Sequence, residues 1–308
     1  MMHDYYLKLL LEPVDEDKIS SFEEWGREDK RRLKGKSVEE KRIIWQQEEI
    51  VGGKKKDLIL SKEKYVNDFY PKPTDLQNLP RKSVLIKISF TLKKPYTSKD
   101  EVEFHIIDSR IFENPIVRDK FTGLPMVRPS TWKGHLRFSA EKVEYDEEKK
   151  KRIIKRLFGS ESGEDVALRG RLYFFPTFFK SDAEKDVITP LRRDTRTPVK
   201  GRSPIPIEVV KPGSKGEFYL LYVPYPKGRD FKEEQIKEDL MFLAKALKLM
   251  FYVYGFSAKK TSGFGVIEEK LNEGKFWIKS NTKIKEETFS QLDELKNKLI
   301  SYLEGRDD

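Results

Sequence analysis

Residues 83–92 (SVLIKISFTL) alternate cleanly: Val84, Ile86, Ile88 and Phe90 fall on one side, Lys87 and Ser89 on the other. A period of two marks a half-buried strand. A helical period governs residues 232–254, where Ile236, Leu240, Leu243, Leu247, Met250 and Tyr254 form an apolar stripe that Gly255 ends. Trp132, Leu136, Ala140 and Val143 predict a helix from Trp132 to about Val143, with Ser130 or Thr131 as its cap. A more basic helix is expected over 146–158, closed by Gly159. Further strands are expected at 168–175, 205–210 and 218–223, the last two paired around the Pro212-Gly213 turn. Two more are expected at 266–270 and 276–279, around residues 272–274, followed by a helix over 286–303. Near the start, residues 4–11 read as a short strand and 38–51 as a helix ended by Gly52 and Gly53. Pro71, Pro73 and Pro80 then interrupt regular structure and place a boundary near residue 80.

Without its insertions, the stretch 81–270 reads strand, helix, strand, strand, helix, strand. That is an α+β, ferredoxin-like (RRM-like) order. The expected organisation is a charged, helical N-terminal extension over 1–80, a core domain over 81–280, and a C-terminal helix over 281–308. The core domain carries insertions at about 98–130, 146–165 and 180–216.

Composition narrows the functional classes. Charged and hydrophobic residues are equal at 37% each, yet 20 Phe, 13 Tyr and 4 Trp supply enough apolar bulk for a folded core. No apolar run of about 18 residues occurs, so no membrane partner is expected. Residues 1–13 are too interrupted by charge for a signal peptide, and a cytoplasmic location is expected. The absence of cysteine excludes disulfides, thiolate metal sites and a Cys nucleophile. Three histidines (His3, His105, His135) argue against a multi-His metal centre. The net charge is +10, and it is uneven: residues 1–80 hold 16 basic and 17 acidic residues, so the excess lies beyond them. Residues 187–216 carry seven basic residues against Asp194 and Glu208. A patch of that kind suits a polyanion, whose counterions are released when Lys and Arg neutralise phosphates.

Two constellations carry candidate chemistry. Residues 113–137 (ENPIVRDKFTGLPMVRPSTWKGHLR) combine Arg118, Arg128, Lys133 and Arg137 with a helix start. Free N–H groups and the positive helix end both favour a phosphate there. Lys133 and Arg137, four apart, share a helix face. Residues 255–265 (GFSAKKTSGFG) form a glycine-rich loop with Lys259, Lys260, Thr261 and Ser262 as donors. It has neither the Walker order nor the strand-to-helix setting of a dinucleotide loop.

Together these segments resemble the RAMP superfamily of CRISPR-associated proteins, and more narrowly the Csm- or Cmr-type backbone subunits of type III effector complexes. Family members carry N/S-P-I/V-I/V-K/R-D, then T-x-x-P, then P-G-S-S-x-K-G-x-L/M-R. Here these stand as Asn114-Pro115-Ile116-Val117-Arg118-Asp119, Thr122 to Pro125, and Pro129-Ser130-Thr131-Trp132-Lys133-Gly134-His135-Leu136-Arg137. The family glycine after the proline is missing, and Trp132 is unusual at its position. The family's late G-x-x-x-K-x-x-G-F/Y-G loop is matched by residues 255–265.

The resemblance implies an RNA-grasping core with a thumb-like hairpin insertion, for which the stretch around Arg192 to Arg202 is the candidate. It implies guide RNA, target RNA and other effector-complex subunits as partners. Expected RNA contacts are Arg118, Arg128, Ser130, Lys133, Arg137, Arg192, Arg193, Arg196, Lys200, Arg202, Lys259, Lys260 and Ser262. Aromatic pairs such as Phe174-Phe175 and Phe178-Phe179 read either as base-stacking residues or as core, with Phe174 assigned to core.

Cleavage is the alternative to a scaffold role. In related subunits one Asp with a divalent metal cuts target RNA, and the matching position here is Glu113. Asp108, five residues earlier, is the other candidate ligand, with Mg2+ as the cofactor if the chain is catalytic. A third route, implied by guide-processing relatives, is metal-free acid–base catalysis through His105.

Overall fold

A computed structural model describes residues 63–304, apart from 100–104, 108–109, 113–115, 161–166, 182, 190–191, 193, 196, 200, 202–203, 228–230 and 282. The strand and helix expected at 4–11 and 38–51 therefore lie outside the described residues.

A five-stranded sheet is built around β1 (Val84–Thr91), the strand whose alternation is strongest. One edge of β1 pairs antiparallel with β9 (Lys215–Tyr222), and the other with β10 (Glu273–Lys279). β5 (Leu172–Phe174) pairs beyond β9, and β11 (Ile284–Phe289) beyond β10. The order is β11-β10-β1-β9-β5, and β4 (Met126–Val127) pairs with β6 (Thr177–Phe178) outside this sheet. Val84, Ile86, Ile88 and Phe90 of β1, Phe218, Leu220 and Tyr222 of β9, and Phe276 and Ile278 of β10 are all buried in one core cluster.

Four helices accompany the sheet: α1 (Pro129–Glu141), α2 (Glu147–Phe158), α3 (Glu234–Leu249) and α4 (Leu292–Glu304). Trp132, Leu136 and Ala140 of α1 enter the same core as Leu240, Leu243 and Leu247 of α3. Trp132 sits at the centre of an aromatic cluster with Phe90, Phe218, Phe251 and Phe256, and its indole N–H donates to Thr177 Oγ1 at 3.1 Å. This explains the residue that looked out of place in the motif: it is an internal anchor.

Residues 63–79 include two 3-10 segments: Glu63–Phe69 packs on Leu124 and Phe178, and Pro73–Asn78 lies on the opposite face of the sheet. Leu76 is buried with Leu85, Tyr219 and Trp277, and Tyr70 stacks on Tyr219 at 4.5 Å. Where this cover stops, charge takes over. Lys87 meets Glu273 at 2.7 Å and Glu217 at 3.3 Å, and Lys275 meets Glu273 and Glu286.

Several expectations are corrected. Helix α1 begins at Pro129, with Arg128 at the cap position and no side-chain cap bond, so Ser130 and Thr131 lie in its first turn. Proline at the first helical position has its φ preset and no N–H to satisfy, so a hydroxyl cap is not needed there. Asp146 does cap α2, accepting from the Lys149 N–H at 2.9 Å. The segment 205–210 does not pair with 218–223. Instead β8 (Ile205–Val209) pairs with β7 (Glu184–Ile188) as a ribbon outside the main sheet, and Val210 bridges Tyr96.

Residues 266–270 form no strand beyond an isolated bridge between Ile267 and Leu92, because their amides reach Phe251 and Thr91 instead. Gly274, read as part of a turn, lies inside β10, where a Cβ would come within 2.5 Å of the Phe289 ring and backbone. The C-terminal helix starts only at Leu292, since residues 284–289 extend the sheet. No helix among the described residues is long and apolar enough to cross a membrane.

Candidate nucleic-acid interface

The buried stripe of α1 turns its remaining face outward. Lys133 and Gly134 are exposed there, and His135, Arg137 and Phe138 are partly exposed. Arg137 is held by Glu141 at 3.5 Å, one helical turn on. Among the described residues Lys133 has no acidic partner.

The glycine-rich loop leaves the C-terminal end of α3 through a π-helical turn, Met250–Tyr254. Gly255 (φ 71°) and Gly265 (φ 77°) both need the left-handed region, and they lie back to back. A Cβ on Gly255 would meet the Phe264 carbonyl at 2.2 Å, and one on Gly265 the Ser257 amide at 2.7 Å. The loop is thus a clasp, closed by the Phe256 N–H donating to Gly265 O at 3.1 Å. It is pinned to the chain after β1: the Gly265 N–H donates to Pro95 O at 2.8 Å and the Ala258 N–H to Thr97 O at 3.1 Å. Ser257 adds a two-way bond, its hydroxyl accepting from the Thr97 N–H at 3.0 Å and donating to Thr97 O at 2.9 Å.

This rigid base lifts Lys259, Thr261 and Ser262 into solvent. Lys260 bends across to α1, where its ammonium lies 3.8 Å from the centre of the Phe138 ring. Lys142 approaches the same ring at 5.7 Å, and Tyr254 meets it edge-on at 5.4 Å. A cation over an aromatic face is held by the ring quadrupole. Burial lowers the Lys260 pKa. Helix α1 and the loop, more than 100 residues apart in sequence, therefore form one cationic surface.

His135 lies beside it. Burial, then the Lys260 charge, push its imidazole down to about 4, so it is neutral at physiological pH. Its unfolded value is near the ordinary 6.5, so between those limits the unfolded chain binds the extra proton and stability falls as pH drops. The expected cost at pH 5 is about 2 kcal/mol from this one group. Denaturant unfolding of the wild type and His135→Gln from pH 7 to pH 5 checks it: the wild type should lose the larger share. Equal losses would refute it.

The other expected contacts separate. Arg118 is a correction: its side chain faces inward, donating to Gly123 O at 3.1 Å and to Glu208 Oε1 at 3.4 Å. Only 1% of the Arg118 side chain and 6% of that of Glu208 are exposed. The other Glu208 oxygen accepts from the Ile116 N–H at 2.9 Å, and its backbone carbonyl accepts from Thr97 Oγ1 at 2.7 Å. The pair locks the motif loop to β8 and to the base of the glycine-rich loop. Asp119 is also used locally, accepting from the Thr122 N–H and hydroxyl at 2.8 Å each.

Arg128 and Ser130 are exposed at the start of α1. Arg192 lies between β7 and β8 and pairs with Asp194 at 3.0 Å. Arg193, Arg196, Lys200 and Arg202 fall outside the described residues. So do Glu113 and Asp108. His105 begins a short strand, β2 (His105–Ile107), paired with β3 (Arg110–Phe112). Among the described residues no group of three or more His, Asp or Glu is placed to hold a metal.

The aromatic pairs resolve toward the interior. Phe178 and Phe179 are buried, and Phe174 stacks on Phe158 at 6.5 Å. On the sheet face opposite the helices, Tyr219 and Trp277 lie under residues 70–79, while Tyr173 of β5, opposite Leu221, stays partly exposed with Arg169 5.1 Å from its ring centre. Tyr219 and Trp277 are therefore covered where RNA-recognition sheets leave aromatics open for stacking. Phe138 and Tyr254 are the aromatics that reach the cationic surface. Phe138 was legible only as a residue four places from Gly134 on the outer helix face.

Comparison with known proteins adds the family. The model described as RAMP superfamily matches residues 51–268. Among solved structures, the Csm3-Csm4 subcomplex of a type III-A CRISPR-Cas interference complex aligns with a TM-score of 0.44 at 18% identity, over 72% of this chain and 98% of its own. A type III-B Cmr-beta structure bound to cognate target RNA gives 0.47 at 19% identity, over 90% and 87%. A CRISPR RNA-guided surveillance complex gives 0.42 at 13% identity, over 66% and 72%. No curated protein matches the sequence.

Proposed function

The chain belongs to the RAMP superfamily, and on that premise we propose that it is a guide-RNA-holding backbone or capping subunit of a type III-like CRISPR ribonucleoprotein. The observation that carries this reading is the contact of Lys260 with Phe138, which joins the α1 face and the glycine-rich loop into one surface. Such a surface suits a sequence-independent grip. Lys133 and Lys259 meet phosphates, loop amides and hydroxyls supply neutral donors, and an aromatic ring lies among them. Reading the target is then left to base pairing.

The strand order β10-β1-β9-β5, with α1 and α3 as crossovers, supports a ferredoxin-like core. The β7–β8 ribbon, with Val187 and Ile205 exposed and a basic connection between its strands, is our thumb that enters between guide and target. Other effector subunits are the expected protein partners, and the cytoplasm the expected compartment.

The test is titration of the purified full chain, alone and in its assembled complex, with single-stranded RNA over a range of salt. Lys133→Ala and Lys259→Ala should each weaken binding evenly across RNA sequences. Each should reduce the slope of log affinity against log salt by about 0.7, the share of one phosphate on a single strand. No RNA binding at moderate salt in either form would overturn the proposal.

A further inference from the structure

Gly255 and Gly265 are required by backbone geometry, but Gly134 is not. It lies in the second turn of α1 and has no positive φ. Apart from its two chain neighbours and the backbone of its own helix, no atom of the described residues comes within 4 Å of where its Cβ would stand. Neither conformation nor internal packing asks for glycine here, and glycine inside a helix is less stable than alanine.

What surrounds the position is informative. Its neighbours three and four residues away on the same face are Ser130, Thr131, Arg137 and Phe138, and Lys133 adjoins it. Lys260 stands over the Phe138 ring, one turn along the helix. The missing side chain leaves the helix backbone open at Gly134, a notch flanked along α1 by hydroxyl, ammonium, guanidinium and aromatic side chains.

We propose that Gly134 is kept bare so that the sugar–phosphate backbone of the bound RNA lies directly against α1 at this notch. The inference rests on the RNA-holding reading above and deepens it by naming the point of closest approach. A ribose–phosphate unit fits the chemistry: its phosphate takes the Lys133 and Lys260 charges, its sugar lies on the bare helix, and no base edge is read. Any side chain at residue 134 would hold the strand off by at least a methyl group and stretch those charge-assisted bonds.

Gly134→Ala in the full chain tests this with two readouts. The thermal midpoint should rise by about 2–4 °C, because alanine is the better helix former. Affinity for a mixed-sequence single-stranded RNA should fall about tenfold, and Gly134→Leu should fall further. Unchanged RNA affinity in both variants would overturn the inference while leaving the RNA-holding reading intact. Failure of the wild type to bind RNA would overturn that reading itself. A lowered midpoint in Gly134→Ala would also overturn the inference, since the glycine would then serve the fold. So would loss of a protein subunit from the complex with RNA affinity intact, which would assign the notch to a protein contact.

Discussion

Asp239→Ala should cost about 3–5 kcal/mol of folding stability, the range for breaking a buried ion pair by removing one partner. Asp239 sits on α3 with no exposed surface. Its carboxylate accepts from Arg156 Nε at 2.8 Å, from Arg171 Nη1 at 2.6 Å and from the Tyr222 hydroxyl at 3.1 Å. Three elements are tied to α3 by this one side chain: α2 through Arg156, the approach to β5 through Arg171, and β9 through Tyr222. Burial, with the Asp239 charge behind it, keeps the Tyr222 hydroxyl protonated, so it remains a donor. Alanine would leave the guanidinium of Arg171, itself only 3% exposed, without its carboxylate.

Against a total stability of about 5–15 kcal/mol, such a loss leaves little or no folded protein. Arg156→Ala should cost less, because Arg156 is nearer the surface. Equilibrium denaturation of both variants decides the matter, and a loss below about 1 kcal/mol for Asp239→Ala would contradict the account. The functional consequence is indirect. Helix α3 carries the glycine-rich loop at its end, so loosening the helix loosens half of the cationic surface proposed to hold RNA.

How far the sequence disclosed this arrangement depends on the range of the interaction. β1, α2 and α3 were legible because their signals are local: a period of two, a basic run closed by Gly159, an apolar stripe ended by glycine. β11 was not, because IKEETF alternates weakly and its identity is decided by pairing with β10. The ribbon partner of β8 was misassigned because turn chemistry at Pro212-Gly213 is real, yet it serves a chain reversal toward β9 rather than a hairpin.

In the candidate site, residue type alone picked out Lys133 and Lys259, since exposed cations on a helix and in a loop need no partner to be recognised, whereas the place of Lys260 depends on Phe138. Arg118 looked the same by type. What separates it from them is Glu208, 90 residues away, and a buried charge is recognisable only once its counter-charge is placed. The run IPIEV even hid the partner, since Ile207, Glu208 and Val209 are all buried and the strand does not alternate.

That contrast sets up the second large effect. Arg118→Ala should cost about 3–5 kcal/mol, as removal of either partner strands the other charge in the interior. Among the described residues, Glu208 would keep only the Ile116 N–H as a donor to its carboxylate. The loop holding residues 116–125 would keep the Ile116 bond to β8 but lose its ion pair with it, loosening the strand that supports Thr97 and, through Thr97, the glycine-rich clasp. RNA affinity should therefore fall, but through disorder of the surface and not through a lost phosphate contact.

Two measurements separate these causes. In Arg118→Ala, studied cold enough to remain folded, the slope of log affinity against log salt should stay at the wild-type value, whereas Lys133→Ala reduces it by about 0.7 with stability nearly unchanged. A double-mutant cycle with Glu208→Gln should show strong coupling for Arg118, of about 0.5–3 kcal/mol, and none for Lys133. If Arg118→Ala instead left stability intact and lowered the salt slope, Arg118 would have to turn outward onto RNA. The inward network of Arg118, Glu208 and Thr97 would then not be the state that binds.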